Sequence, residues 1–553
     1  MTISAGVPGS ECSVAAVGWQ EIASKKRALR DVAVRTFKNA DDVDTAITAI
    51  DDASALVEAL ASGQLTAEAV TRAYIQQAIE AHENTNCLTE VCFAEAIDRA
   101  ITLDKHLATT GSPYGPLHGM PISLKDQFDV KGLDTTLGYV GRSFAPAEAD
   151  CVLVQMFKSM GAIVICKTNI PQSIMWCETD NPLFGLTTNP TDKRYTPGGS
   201  TGGEAALLSC RGSVLGLGTD IGGSIRIPSH MMGLYGFKPS SARLPYRGVQ
   251  VSTDGQEHVP SSVGPMARSL KSIELTMRSL SNARPWTRDP KCAPIPWRQD
   301  AYDEIIQRPL VLAVLINDGV VQPHAPVART LQHAVEILRS AGHQVFEWDA
   351  SLHQDAIEVM DAYYTADGGE DIVCAVSAGG EPYIPHVEKL LKRGDAISVF
   401  EYWQLNRRKR SIQHAYLDKW QNFTLPSGEK VVADALIMPP MPHSAVPHGS
   451  CRWVGYTKVW NLMDYPALVI PGGRVGDFSK DCPVPVDRKA EAVNSHGGEL
   501  DALNRALWEE KGDEMATLNL PIGIQIIGQK LEEERVLGVG KVLDDLLRKS
   551  KTT

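Results

Sequence analysis

The sequence predicts a largely parallel α/β fold organised around one sheet. Two strand–helix–strand units carry that prediction. In the first, GMPISL (119–124) and AIVIC (162–166) flank a helical stretch; in the second, LVLAVLI (310–316) and QVF (344–346) flank another. This is the pattern of parallel strands joined by crossover helices. A third observation sets the scale: strand-type apolar runs recur from 119 to 528, which favours one sheet over several. At about 150 residues per domain, 553 residues would suggest three or four domains. The scattered strands favour one large domain over 51–549 with a peripheral helical extension over 1–50.

Residues 52–107 read as two amphipathic helices, with Leu56 and Leu60, then Val70, Tyr74 and Ile79, on their apolar faces. GMPISL is a short apolar run bounded by Gly and Pro, hence a buried strand. Asp150 is placed to cap a helix whose face is Leu153, Met156, Phe157 and Met160, closed by Gly161. A short helix over 204–209 and strands over 213–217 and 235–238 follow. Residues 283–300, rich in Pro and Trp, read as a surface connection. The second unit's helix spans 327–341 and stops at Gly342. Residues 350–430 are charged and mainly helical. ALIMPP (435–440), ALVIPG (467–472) and PIGIQIIG (521–528) are strands, with the polar 473–518 as an insertion, and a last helix covers 532–548.

Composition narrows the function. The chain is 43% hydrophobic and 22% charged, which excludes disorder, collagen and coiled coil for the whole. Its net charge of −12 is opposite to that of a polyanion-binding surface, so no nucleic-acid partner is expected. No run of about 18 uninterrupted apolar residues occurs, so no membrane span is expected. MTISAGVPGSEC (1–12) lacks the basic and apolar regions of a secretory signal. Eleven cysteines without a C-x-x-C read as mostly buried, small apolar residues in a reducing cytosol. The histidines form no H-E-x-x-H and no zinc-spaced cluster, and neither a Walker A motif nor G-x-G-x-x-G is present. No metal and no cofactor are expected.

One window is anomalous. Residues 196–236 hold 11 glycines in 41 positions and four charged residues: Glu204, Arg211, Asp220 and Arg226. Leu, Ile, Val and Met interleave with the glycines, so the window is a buried, tightly turned segment, unlike a flexible polar linker. Two serines lie within it, Ser200 in PGGSTGG and Ser224 in GTDIGGSIR. Gly-Ser turns are the plain reading of either alone. Two of them 24 residues apart in an apolar stretch point to function, with the DIGGS amides forming a nest for a developing oxyanion. A serine nucleophile needs a base. Lys125, at the end of GMPISL, is the candidate: most lysines snorkel to water, but burial would lower its pKa and permit base chemistry.

GPLHGMPISLKD (115–126), PGGSTGGE (197–204) and GTDIGGSIRIP (218–228), with spacings of 75 and 24 residues from Lys125 through Ser200 to Ser224, resemble the core of the amidase signature family. Stretches at 167–185, 234–248, 461–473 and 521–537 resemble its fungal acetamidase-type branch. The resemblance implies a large mixed, mostly parallel central sheet covered by helices on both faces, with core motifs over 115–245 and a C-terminal sheet part over 430–545. It implies Ser224 as the acyl-forming nucleophile, Ser200 after a cis peptide bond as the bridging serine, and a neutral Lys125 as the base. Backbone N–H groups of Ile221, Gly222, Gly223 and Ser224 would hold the oxyanion, and Ile174 matches a substrate-contact position. Asp220 and Arg226 are expected to pair and brace the loop. Thr201 replaces the family's usual second serine, keeps the hydroxyl and lies outside the triad. The expected partner is a small-molecule amide, acetamide-like or aryl, in the cytoplasm; an amide of specialised metabolism and a homodimer are both left open.

Three rival readings fit the same residues less well. GGSTG (198–202) fits the nucleophile elbow G-x-S-x-G, but NPTDKRYT before it is polar and turn-like where that elbow requires a strand. An amidotransferase subunit would share the signature yet lack the acetamidase-like C-terminal half. A non-catalytic scaffold would not need Lys125, Ser200 and Ser224 together.

Overall fold

The computed structural model describes residues 18–38, 44–424, 428–476 and 498–552. Thirteen strands are present among them: β1 Leu88–Val91, β2 Pro121–Lys125, β3 Ile163–Thr168, β4 Leu215–Asp220, β5 Tyr235–Lys238, β6 Ser262–Ala267, β7 Val311–Val314, β8 Gln344–Glu347, β9 Phe423–Thr424, β10 Lys430–Val431, β11 Ala435–Met438, β12 Ala467–Arg474 and β13 Pro521–Ile527. Eleven of them form one sheet in the order β1-β3-β2-β4-β6-β5-β12-β13-β11-β7-β8, while β9 and β10 pair as a small hairpin. The sheet is mixed. Parallel pairing occurs in two blocks, β3-β2-β4 and β11-β7-β8, with antiparallel pairing through the middle and at the β1 edge. Each parallel block contains one of the two units legible in the sequence, extended by β4 and β11 respectively.

β2, β3 and β4 are buried along their whole length, as strands covered on both faces must be. The helix Ala325–Ser340 presents Val327, Leu331, Ala334, Val335 and Leu338 to the core, with Pro326 in its first turn, and Gly342 follows it at φ 89°. The helix Trp19–Thr36 is tied to the body by Lys26, which ion-pairs with Glu90 and with Asp134 at 2.6 Å.

Several expectations are corrected. Residues 52–107 make three helices, Ala53–Ala61, Ala67–Thr85 and Phe93–Thr110, with β1 between the last two; β1 is four residues long and too short for a periodic signal. Asp150 does not cap the helix Val152–Ser159. Cys151 occupies that position, and Asp150 accepts from the Lys131 N–H at 2.9 Å and the Lys158 ammonium at 2.7 Å. β6 and the helix Leu270–Asn282 have no counterpart in the sequence pattern, because Gly264-Pro265 interrupts the apolar run as a turn would. The surface connection over 283–300 contains a single 3-10 turn, Pro285–Thr287, and a helix starts at Gln299. The insertion after β12 includes the helix Glu499–Thr517, while 477–497 lie outside the described residues, as do 1–17 of the N-terminal extension.

Candidate active site

Parallel pairing gathers the three motif residues. β2 and β4 run the same way, with Leu124 opposite Leu217, so Lys125 and Asp220 emerge at the same carboxyl edge of the sheet. That edge is where open α/β sheets place their ligands. The chain then turns through 221–225 into the helix Arg226–Met232, which puts Ser224 just ahead of a helix start. Ser200 arrives from the other side, after a cis Gly199–Ser200 peptide and just ahead of the helix Gly202–Ser209. The two serine turns are joined directly: the Thr201 N–H donates to the Ser224 carbonyl at 3.2 Å.

Lys125 is fully buried, and its Nζ lies 2.7 Å from Ser200 Oγ. Burial pushes its ammonium down to about 7, against the pull of Asp220 and Asp126. Lys167 and Lys238 are equally buried, but they donate to the backbone carbonyls of Asp134 and Pro239. Lys125 alone of these three faces a serine of the glycine window.

Two residues not singled out in the sequence complete the lysine's surroundings. Thr219 Oγ1 is 3.0 Å from Lys125 Nζ and donates its own hydrogen to Gln127 Oε1 at 2.5 Å. Gln127 is oriented in turn, because its Nε2 donates to the Gln250 carbonyl at 2.7 Å. With that hydrogen committed, Thr219 can only accept from the lysine. A neutral amine giving one N–H to Thr219 keeps its lone pair available to Ser200.

A buried charge network holds the turn around Ser224. Asp220 and Arg226 form a fully buried ion pair. Arg226 uses all five of its N–H donors: Nε and Nη2 bind Asp220 at 2.9 and 2.8 Å, Nη1 binds the Thr457 carbonyl and Gln525 Oε1 at 2.9 and 2.7 Å, and Nη2 also reaches Asn461 Oδ1 at 2.6 Å. Burial alone would raise the Asp220 carboxyl, but Arg226, helped by Lys238 and Asn461, holds it well below the usual carboxylate range. Asp220 also accepts from the Gly223 N–H at 2.8 Å and the Ile225 N–H at 3.1 Å. The nest is therefore narrower than the sequence suggested. Gly223 has an internal acceptor, and the Ile221, Gly222 and Ser224 amides are the ones with no intramolecular acceptor among the described residues. Gly223 itself sits at φ 132°, and a Cβ there would strike Thr457.

Ile174 lines the space in front of Ser224 at φ 59°, next to Ser173 at φ 65°. A β-branched residue in the left-handed region is uncommon and strained. Thr201 lies behind the serines, its hydroxyl 3.4 Å from the Thr219 carbonyl. Two cavities, of about 720 and about 130 Å3, open from this point and share Ile174, Met175, Ile221 and Ser224.

Comparison with known proteins identifies the family and the fold. The Amidase family matches residues 69–537. The chain is 49% identical over 532 residues to Amidase 1 of Gibberella moniliformis, covering 96% of this chain and 99% of that one. It is 38% identical over 552 residues to the acetamidase of Emericella nidulans, covering 96% and 98%. Among solved structures, fatty acid amide hydrolase superposes with a TM-score of 0.83 at 30% identity, covering 99% of this chain and 91% of that one. Fold and relatives together define an amide-hydrolysing enzyme. The chain belongs to the amidase signature family, on its fungal acetamidase-type branch. No helix of the described residues is long and apolar enough to cross a membrane.

Proposed function

We propose that the chain cleaves a carboxylic amide through an acyl-enzyme on Ser224, with Ser200 and Lys125 as the proton relay. The observation that carries this reading is the 2.7 Å approach of a fully buried lysine to Ser200 at the sheet edge that also bears Ser224. Ser224 Oγ attacks the carbonyl carbon and passes its proton to Ser200, which passes its own to neutral Lys125. The Ile221, Gly222 and Ser224 N–H groups stabilise the resulting oxyanion. As the C–N bond breaks, the relay runs backwards: Ser200 protonates the leaving nitrogen and Lys125 reprotonates Ser200. Water then attacks the ester, its proton taking the same path to Lys125, and the carboxylic acid leaves as Ser224 recovers its proton. The nine described cysteines are all unpaired, which supports work in a reducing compartment such as the cytosol.

A fluorophosphonate tests the reading. It should label the enzyme at Ser224, and Ser224→Ala should lose both labelling and amide hydrolysis. Full acylation of Ser224 in a Ser200→Ala variant would overturn the relay.

A further inference from the structure

The two cavities that meet at Ser224 differ in size, in lining and in which serine they contain. The larger, about 720 Å3, includes Ser200 and Thr219 and extends beneath the segment 246–261. The smaller, about 130 Å3, includes Ser224 and Gly199 but not Ser200. Its walls combine aromatic and aliphatic side chains, among them Trp176, Tyr364, Trp453, Ile227 and Val454, with a charged group around Asp361.

The proposed chemistry, on which this inference rests, assigns the two spaces. Ser200 hands the proton to the leaving nitrogen, so the amine must lie on the side where Ser200 is accessible. That is the larger cavity. The acyl group, bonded to Ser224 and turned away from Ser200, then occupies the smaller one. We propose that the substrate is an amide of a compact ring-bearing acid, such as an arylacetic acid, with its nitrogen either unsubstituted or bearing one substituent.

Size supports the acyl assignment. An apolar cavity of about 150 Å3 holds one benzene ring, and the smaller cavity is close to that. An acetyl methyl would leave most of it unfilled. Charge sharpens the assignment. Lys458 is 3% exposed, bonds Asp361 at 2.7 Å and lies 5.3 Å from the centre of the Trp453 ring. Arg393 is 3.6 Å from the same Asp361, and Arg452 adds a further cation to the lining. Three cations against one carboxylate disfavour a cationic acyl group. On the amine side the large cavity imposes no comparable limit, so a secondary amide such as an anilide fits as well as a primary one.

The experiment is a two-way panel on the intact enzyme: acetamide, phenylacetamide and phenylacetanilide, read as kcat/KM ratios. Filling the smaller cavity with a ring is worth about 1.5–3 kcal/mol, which converts to about 10- to 160-fold in favour of phenylacetamide over acetamide. Val454→Trp, which fills the small cavity, should pull that ratio towards one. Val251→Trp, in the lining of the large cavity, should instead lower the ratio of phenylacetanilide to phenylacetamide. Acetamide equal to or better than phenylacetamide, or the two variants exchanging their effects, would overturn the cavity assignment while Ser224 labelling left the serine mechanism standing. Loss of labelling with no hydrolysis of any member of the panel would instead overturn the mechanism, and this inference with it.

Discussion

A base that works as the neutral amine must lose activity when it is protonated, and the burial of Lys125 sets where that happens. Its ammonium is pushed from 10.5 to about 7. With a single titration at that value, about 9% of the neutral amine remains at pH 6 and about 1% at pH 5. The measurement is kcat/KM for an amide from pH 5 to 9, with circular dichroism on the same samples to show that the fold persists. The same lysine also makes stability depend on pH. Its folded value lies below its unfolded value of 10.5, so between about 7 and 10.5 the unfolded chain holds the extra proton. Stability therefore rises with pH across that window and gains nothing from this group below it. From pH 7.5 to 9.5 the gain is on the order of 2–3 kcal/mol, from 1.36 kcal/mol per proton per pH unit. Lys125→Met should abolish hydrolysis and remove that part of the slope in urea unfolding, the difference from wild type isolating this one group. A flat acid limb in protein that remains folded, or identical pH slopes for wild type and variant, would refute a neutral buried lysine.

Three further outcomes follow from the same network. Gln127→Leu frees the Thr219 hydroxyl to compete with Ser200 for the lysine lone pair; kcat/KM should fall about 2- to 10-fold, the worth of one hydrogen bond, and adding Gln127→Leu to Thr219→Val should cost nothing more. Arg226→Ala leaves Asp220 buried without its partner and should destabilise by about 3–5 kcal/mol in urea unfolding, far more than a surface arginine. Glu204, fully buried, bonded to Ser123 and to Thr168 at 2.8 Å and raised by burial to about 8, is poised to stay a neutral acid at pH 7; Glu204→Gln should keep most activity and lose any alkaline activity step near pH 8, whereas Glu204→Ala should lose folded protein.

The motif-bearing part of the site was legible because it is local. Lys125, Ser200 and Ser224 each stand in a short segment whose glycines or apolar run announce a special backbone, and two parallel strands suffice to bring the segments together. What supports them is not local. Thr219 and Gln127 are 92 residues apart and meet only because β2 and β4 are neighbours. Arg226 draws its partners Thr457, Asn461 and Gln525 from 231 to 299 residues away. No periodicity marks an asparagine or glutamine as the acceptor for a distant guanidinium. Four strands carry no sequence signal, and they too are defined by pairing: β1, β9 and β10 are short, and β6 contains the Gly-Pro that elsewhere signals a turn.

The density of glycine between 196 and 236 now has a physical cause at specific positions. A Cβ at Gly216 would strike the Glu204 carboxyl, one at Gly203 would strike the backbone of Asn169, and one at Gly199 would lie 2.8 Å from the backbone of Cys177 and Glu178. These glycines let polar groups and whole chains pack where side chains ordinarily would. The consequence is a centre that excludes water without being apolar: Lys125, Glu204, Asp220 and Arg226 are all fully buried there. The four differ in what burial does to them. Asp220 and Arg226 neutralise each other and stay charged, so they brace. Lys125 and Glu204 have no such close counter-ion, so burial drives both towards neutrality, and a neutral amine at pH 7 is what the serine relay needs. The same packing that makes the window glycine-rich thus lowers the pKa of the lysine buried beside it, as the proposed relay requires.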